Sequence, residues 1–126
     1  MEGLKRTGLR ARGNRAEDAA AAYLEREGYA IRERNFLCRE GEIDIVAERG
    51  ELICFVEVRM RSSAVWGDPS ETVSWSKQRK VVRTALRYLF KHGLSDRMVR
   101  FDVMSVVGQG GEAAIEHIPD AFDAGM

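Results

Sequence analysis

Two short apolar runs, Gly41-Glu42-Ile43-Asp44-Ile45-Val46-Ala47 and Leu52-Ile53-Cys54-Phe55-Val56-Glu57-Val58-Arg59, stand either side of the polar segment Glu48-Arg49-Gly50-Glu51. Runs this short, joined by a polar segment with a glycine, read as a β-hairpin. Glu42, Asp44 and Glu57 interrupt them, and a carboxylate inside a buried strand is costly unless something compensates its charge. With the turn centred on Arg49-Gly50, Asp44 lies opposite Phe55 and Glu42 opposite Glu57. Alternation then puts Glu42, Asp44, Glu57 and Arg59 on one side of the sheet. Asp44 and Glu57 become diagonal neighbours, roughly 7–8 Å apart at the backbone. Like charges this close repel unless a cation stands between them. A hard divalent ion such as Mg²⁺, which accepts one or two carboxylates and keeps room for waters and phosphate oxygens, fits that place.

Composition sets the frame. A chain of 126 residues with 44% hydrophobic and 32% charged residues is an ordinary globular domain, long enough to bury its own core. It contains no apolar run of membrane-spanning length and no secretory h-region, so no membrane partner and a cytoplasmic location are expected. Cys38 and Cys54 form no metal-ligand or redox motif, and Cys54 suits a small buried strand position. Net charge is zero, yet its distribution is uneven. Lys5, Arg6, Arg10, Arg12 and Arg15 crowd the start against one acid, Glu2, whereas Glu112, Glu116, Asp120 and Asp123 end the chain without a lysine or arginine. Residues 1–13 read as a flexible basic arm, either simply solvated or able to meet an anion, and residues 14–126 as one domain.

Asn14 to about Glu27 has a helical pattern that Gly28 ends. Asn14-x-x-Glu17 has capping-box spacing, so Glu17 has a purely local reading as well as a functional one. Tyr29–Phe36 is the first strand, and Arg61–Trp75 is irregular, with Trp66 as an anchor for its own loop. A second helix runs from about Ser74 to Lys91 and stops at Gly93, burying Val82, Ala85, Leu86 and Leu89. No acid occurs between Glu71 and Asp96, while Lys80, Arg83, Arg87 and Lys91 recur at helical spacing. A one-signed stripe of this kind suits phosphates, and Lys77 with Gln78 stands where a helix start favours anions. Val99–Val107 and Ala114–Ile118 complete the strands. Asp102 reads as structural, paired to Arg100 or a helix arginine; His92 and His117 read as isolated.

Several pieces of the chain fall into one familiar order. They are Gly13-Asn14-Arg15-Ala16-Glu17, Tyr23-Leu24, Gly28-Tyr29, Arg34-Asn35-Phe36, Gly41-Glu42-Ile43-Asp44, Phe55-Val56-Glu57-Val58-Arg59, Lys77-Gln78-Arg79, Arg100-Phe101-Asp102-Val103 and Ala121-Phe122. In this order the chain resembles the bacterial YraN-type family of restriction-endonuclease-like, PD-(D/E)xK proteins, which is similar to archaeal Holliday-junction resolvases. The resemblance implies an α/β three-layer sandwich with a central mixed sheet of about five strands in the order α-β-β-β-α-β-β. It also implies a metal-dependent nuclease hydrolysing phosphodiester bonds in DNA (rather than RNA), branched recombination intermediates included, and a homodimer. Within it, Glu17, Asp44, Glu57, Arg59 and Lys77 are the catalytic set. Asp44, Glu57 and the Val58 carbonyl hold Mg²⁺ or Mn²⁺, with Glu17 and Glu42 as further ligands. Gln78, Arg79, Lys80, Arg83, Arg87, Lys91, Arg12 and Arg15 face nucleic acid.

Arg59 departs from the superfamily pattern, which has lysine here. A guanidinium stays protonated and cannot act as a general base, though it can clamp a phosphate. Lys77 is positioned in the family motif to supply the missing lysine. The alternative is a nucleic-acid-binding module of the same fold without catalysis, acting in DNA processing or protein interaction.

Overall fold

The computed structural model describes residues 9–61, 73–108 and 114–124. Helix α1 (Leu9–Arg26) opens the chain and is followed by β1 (Ala30–Cys38), β2 (Gly41–Arg49) and β3 (Leu52–Arg61). Helix α2 (Trp75–Lys91) then leads to β4 (Met98–Val107) and β5 (Ala114–Phe122). The five strands lie side by side in chain order, antiparallel except where β3 and β4 run parallel. That one parallel pair needs a crossover, and α2 provides it.

Each helix covers one face of the sheet. Ala20, Ala21 and Leu24 of α1 pack on Ile45, Ala47, Cys54, Val56 and Met104. Val81, Val82, Ala85, Tyr88 and Leu89 of α2 pack on Val46, Ile53, Phe55 and Phe101. The middle of β2 and β3 is therefore buried on both sides, which explains the nearly unbroken apolar runs. The result is the α/β three-layer sandwich expected. Cys38 and Cys54 are both free thiols. No helix among the described residues is long and apolar enough to cross a membrane.

The helix ends follow local chemistry. Gly28, at φ 96°, stops α1, and Tyr29 donates its N–H back to the Leu24 carbonyl at 3.0 Å, closing a Schellman-type cap. Ser74 caps α2 by accepting the Lys77 N–H at 3.1 Å. The start of α1 corrects an expectation. It begins at Leu9 rather than Asn14, so Glu17 sits mid-helix and the capping-box reading fails. Trp66 lies outside the described residues, and Trp75 opens α2 instead of closing the irregular segment.

The hairpin turns later than expected. Arg49 pairs with Leu52, so Gly50 and Glu51 form the tight turn, with Gly50 at φ 60°. Val46 consequently faces Phe55, and extending the ladder one step past Ile45–Val56 sets Asp44 directly opposite Glu57 instead of opposite Phe55. This two-residue displacement changes every partner but leaves each side chain on its expected face, because side chains alternate with period two.

Strand β5 continues past its expected end at Ile118 to Phe122. The pairing shifts between Val103–Ile118 and Phe101–Phe122, and Asp120 stands at φ 56°. Asp102 holds this bulge. Its fully buried carboxylate accepts the Asp120 N–H at 2.9 Å and both arms of Arg100 at 2.9 and 2.8 Å. His117, expected to be isolated, instead meets Asp102 through Nε2 at 2.7 Å and packs edge-on against Tyr23 and Tyr29. Burial pushes the Asp102 carboxyl upward, but these partners outweigh it and hold the group below the usual range.

A folded-state carboxyl held low contributes stability above its unfolded value near 3.8 and loses it as pH falls through the folded value. Asp102→Asn should therefore cost about 3 kcal/mol at pH 7, the scale for breaking a buried ion pair. Thermal unfolding from pH 7 down to pH 2 checks this, with the gap to wild type closing below pH ~4.

Candidate active site

The β2–β3 ladder ends at Ile45–Val56, although β2 runs on to Gly41 beside β1 and β3 runs on to Arg61 beside β4. The two central strands thus part at the row containing Asp44 and Glu57. Alternation breaks at the same row. Ile45 belongs to the α1-side core, whereas Ile43, two residues earlier, belongs to the α2-side core. Between them Asp44 turns toward β3, and its Oδ2 accepts the Val58 N–H at 2.8 Å. In an extended strand one residue's N–H and C=O point the same way, so the Val58 carbonyl also faces the opening.

The opening is a cavity of about 360 Å³ lined by Ala16 and Glu17 from α1, Asp44 from β2, Glu57, Val58, Arg59 and Met60 from β3, and Lys77 from α2. All five side chains expected to be catalytic, Glu17, Asp44, Glu57, Arg59 and Lys77, thus line it. Glu57 is only 2% exposed, and its Oε1 lies 3.4 Å from Lys77 Nζ. Its Oε2 is buried without a hydrogen-bond partner among the described residues. Glu17 is held from β1: Asn35 Nδ2 donates to its Oε1 at 3.0 Å, and Arg34 stands 3.6 Å away. Glu42 is exposed and does not line the cavity.

Burial dominates the electrostatics. It raises the Glu57 carboxyl to about 8, aided by the Asp44 charge and opposed by Lys77 and Arg59. Burial likewise raises Asp44 to about 6, with Glu17 and Glu42 adding to the rise and the Val58 N–H and Lys77 countering it. The two acids act as a pair that keeps a proton near neutrality unless a cation replaces it.

The donor set is two carboxylates and a carbonyl, all hard oxygens, with one carboxylate oxygen left over. That suits Mg²⁺ or Mn²⁺, which retain waters, better than a softer ion. Among the described residues no three His, Cys, Asp or Glu side chains form a ready-made ligand cluster, so water or substrate would have to complete the shell.

The expected nucleic-acid-facing residues divide into two groups. Lys80, Arg83, Arg87 and Lys91 are exposed along α2, as is Arg15 on α1. Arg87 already forms a two-pronged pair with Glu40 at 2.6 and 3.2 Å, and Lys91 lies over the Phe36 ring. Gln78 and Arg79 are tied to the fold by donating to the carbonyls of Val73 and Ala124. Leu86, expected to be buried, is 54% exposed. The side chain of Arg12 lies outside the described residues. Sequence reasoning missed Asn35, although asparagine is among the non-glycine residues most ready to adopt positive φ.

Comparison with known proteins finds one family. The model of the uncharacterised protein family UPF0102 matches residues 16–106. A UPF0102 protein of Myxococcus xanthus is 63% identical over 114 residues, 90% of each chain. One from Geobacter metallireducens is 49% identical over 88% of this chain and 91% of its own length. Another, from Anaeromyxobacter dehalogenans, is 44% identical over 92% and 87%. The chain that splits its sheet around Asp44 and Glu57 belongs to the UPF0102 family, the YraN-type group whose motifs its sequence carries.

Proposed function

We propose that the cavity is the active site of a divalent-cation-dependent nuclease acting on DNA, with branched DNA among its substrates. The observation that carries this reading is the convergence of Asp44 and Glu57 where β2 and β3 separate, with Glu57 Oε2 buried and unpartnered. Asp44, Glu57 and the Val58 carbonyl would hold Mg²⁺ or Mn²⁺. When bound, such an ion acidifies a coordinated water and neutralises charge on a phosphate oxygen.

The chain's own groups do the rest. Arg59 presents a permanent positive charge in the cavity and binds phosphate oxygens, but it does not take a proton from water. Lys77, ion-paired to Glu57, brings a second cation into the cavity from α2. Together they fix the scissile phosphate and stabilise charge that grows on it in the transition state. Glu17 faces the same space from α1 and supports the hydrated side of the site. The exposed Lys80 and Arg83 extend positive charge away from the cavity along α2, where they attract the flanking phosphates.

Arg59 also favours a second reading, in which the same cavity binds nucleic acid without hydrolysing it. Nicking assays with Mn²⁺ on branched and linear DNA separate the two. The nuclease reading expects cleavage that Asp44→Asn with Glu57→Gln abolishes while DNA affinity is kept. Cleavage surviving in the double variant, or cation binding without any cleavage, goes against it.

Two further outcomes follow from the same geometry. A carboxyl raised in the folded state weakens the fold as pH climbs from its unfolded value toward its folded one, here from 4.5 to about 8. Cation-free Glu57→Gln should therefore match wild type near pH 4.5 and be about 2 kcal/mol more stable, or better, at pH 9 in thermal unfolding. Saturating Mg²⁺ should reverse that advantage. In filter-binding titrations, Lys80→Ala and Arg83→Ala should each lower the slope of log affinity against log salt by about 1 if they neutralise phosphates. An unchanged slope removes α2 from the interface.

A further inference from the structure

Asn35 has φ 55° in the middle of β1, a conformation uncommon for any residue but glycine. Its neighbours keep the ladder: Arg34 pairs with Ile45 and Phe36 with Ile43. Asn35 therefore occupies the position facing Asp44, and Asp44 occupies the position facing Glu57, so the three form one row across β1, β2 and β3. Side-chain alternation fails in both strands of the β1–β2 pair at this row, and in β1 Arg34 reaches Glu17 and Asp18 of α1 although Phe36 faces α2. Ile45 lies in the α1-side core, while Phe36 and Ile43 lie in the α2-side core. Strained backbone of this kind persists only where surrounding structure enforces it, and it concentrates at functional sites.

What the strain accomplishes is visible in the contacts. It delivers the Asn35 amide to Glu17, Nδ2 to Oε1 at 3.0 Å. A carboxylate only accepts, so the amide nitrogen is the atom that must face it. Glu17 and Asp44 line the same cavity, and like charges sharing it repel, so Glu17 needs a restraint to stay inward. Arg34 alone would not hold it inward, because that guanidinium lies 2.8 Å from Asp18 and 3.6 Å from Glu17, and Asp18 is exposed on the outer side.

We propose that Asn35 is a positioning residue of the cavity, using its left-handed backbone and side-chain amide to keep the Glu17 carboxylate aimed at the space between Asp44 and Glu57. The proposal rests on the cation-site reading for its consequence but not for its geometry. Asn35 touches neither cation nor substrate and acts through Glu17.

Asn35→Gly separates backbone from amide, since glycine accepts the same φ without strain. Its thermal midpoint should stay close to wild type, while Asn35→Ala, which must bear the strain, should fall lower. Mn²⁺ titration calorimetry should show affinity in Asn35→Gly reduced by about tenfold, the low end for losing a group that orients a ligand. Adding Glu17→Gln should cause little further loss, because both changes remove one device. Wild-type affinity in Asn35→Gly, or losses that multiply in the double variant, would overturn the proposal. If wild type binds no Mn²⁺, the cation-site reading fails, and cation-free crystal structures then decide Asn35 separately. A Glu17 carboxylate displaced from the cavity in Asn35→Gly supports the positioning role, and one left in place refutes it.

Discussion

The structure turns on an unfavourable contact: two carboxylates, one almost wholly buried, brought together at the point where the central hairpin stops pairing. A fold has no reason of stability to do this. Replacing one acid by a neutral group of similar shape would relieve both the desolvation and the repulsion. Everything around the pair can be understood as what makes the contact tolerable: the Val58 N–H on Asp44, the Lys77 ammonium at Glu57, and the Arg59 guanidinium in the same cavity. None of them satisfies the second oxygen of Glu57.

The rest of the molecule positions that contact. Parallel β3 and β4 are held in register over their whole length, so Glu57 is fixed in the most extensive ladder of the sheet. The helices approach from opposite faces, α1 contributing Glu17 and α2 contributing Lys77 near its capped start. Away from the cavity the acids are treated differently. Asp102 is just as buried, yet Arg100, His117 and the Asp120 N–H satisfy it and its carboxyl is held low. Two buried acids in one sheet are thus shifted in opposite directions, Asp102 downward by its partners and Glu57 upward by burial.

Much of this could be read from the chain. Asp44 and Glu57 were legible because they interrupt apolar runs, and their convergence survived an incorrect turn because a two-residue displacement changes the partners and not the face each side chain takes. Glu17 was found, but its setting was not. Asn14-x-x-Glu17 mimics a cap, whereas the helix starts earlier, at Leu9, and the partner that matters is Asn35 on a different element. His117 looked solitary because its acid lies fifteen positions away and meets it only through a bulge at Asp120. Contacts that depend on irregular backbone leave no periodic trace, and both Asn35 and Asp120, at positive φ, make contacts of this kind.

Diffraction from crystals soaked in Mn²⁺, recorded for its anomalous signal, tests the central claim most directly. A peak should appear between the carboxylates of Asp44 and Glu57, within bonding reach of the Val58 carbonyl, and should vanish in crystals of Asp44→Asn with Glu57→Gln. Density for the ion elsewhere, or an empty cavity at saturating Mn²⁺ and alkaline pH, would contradict it.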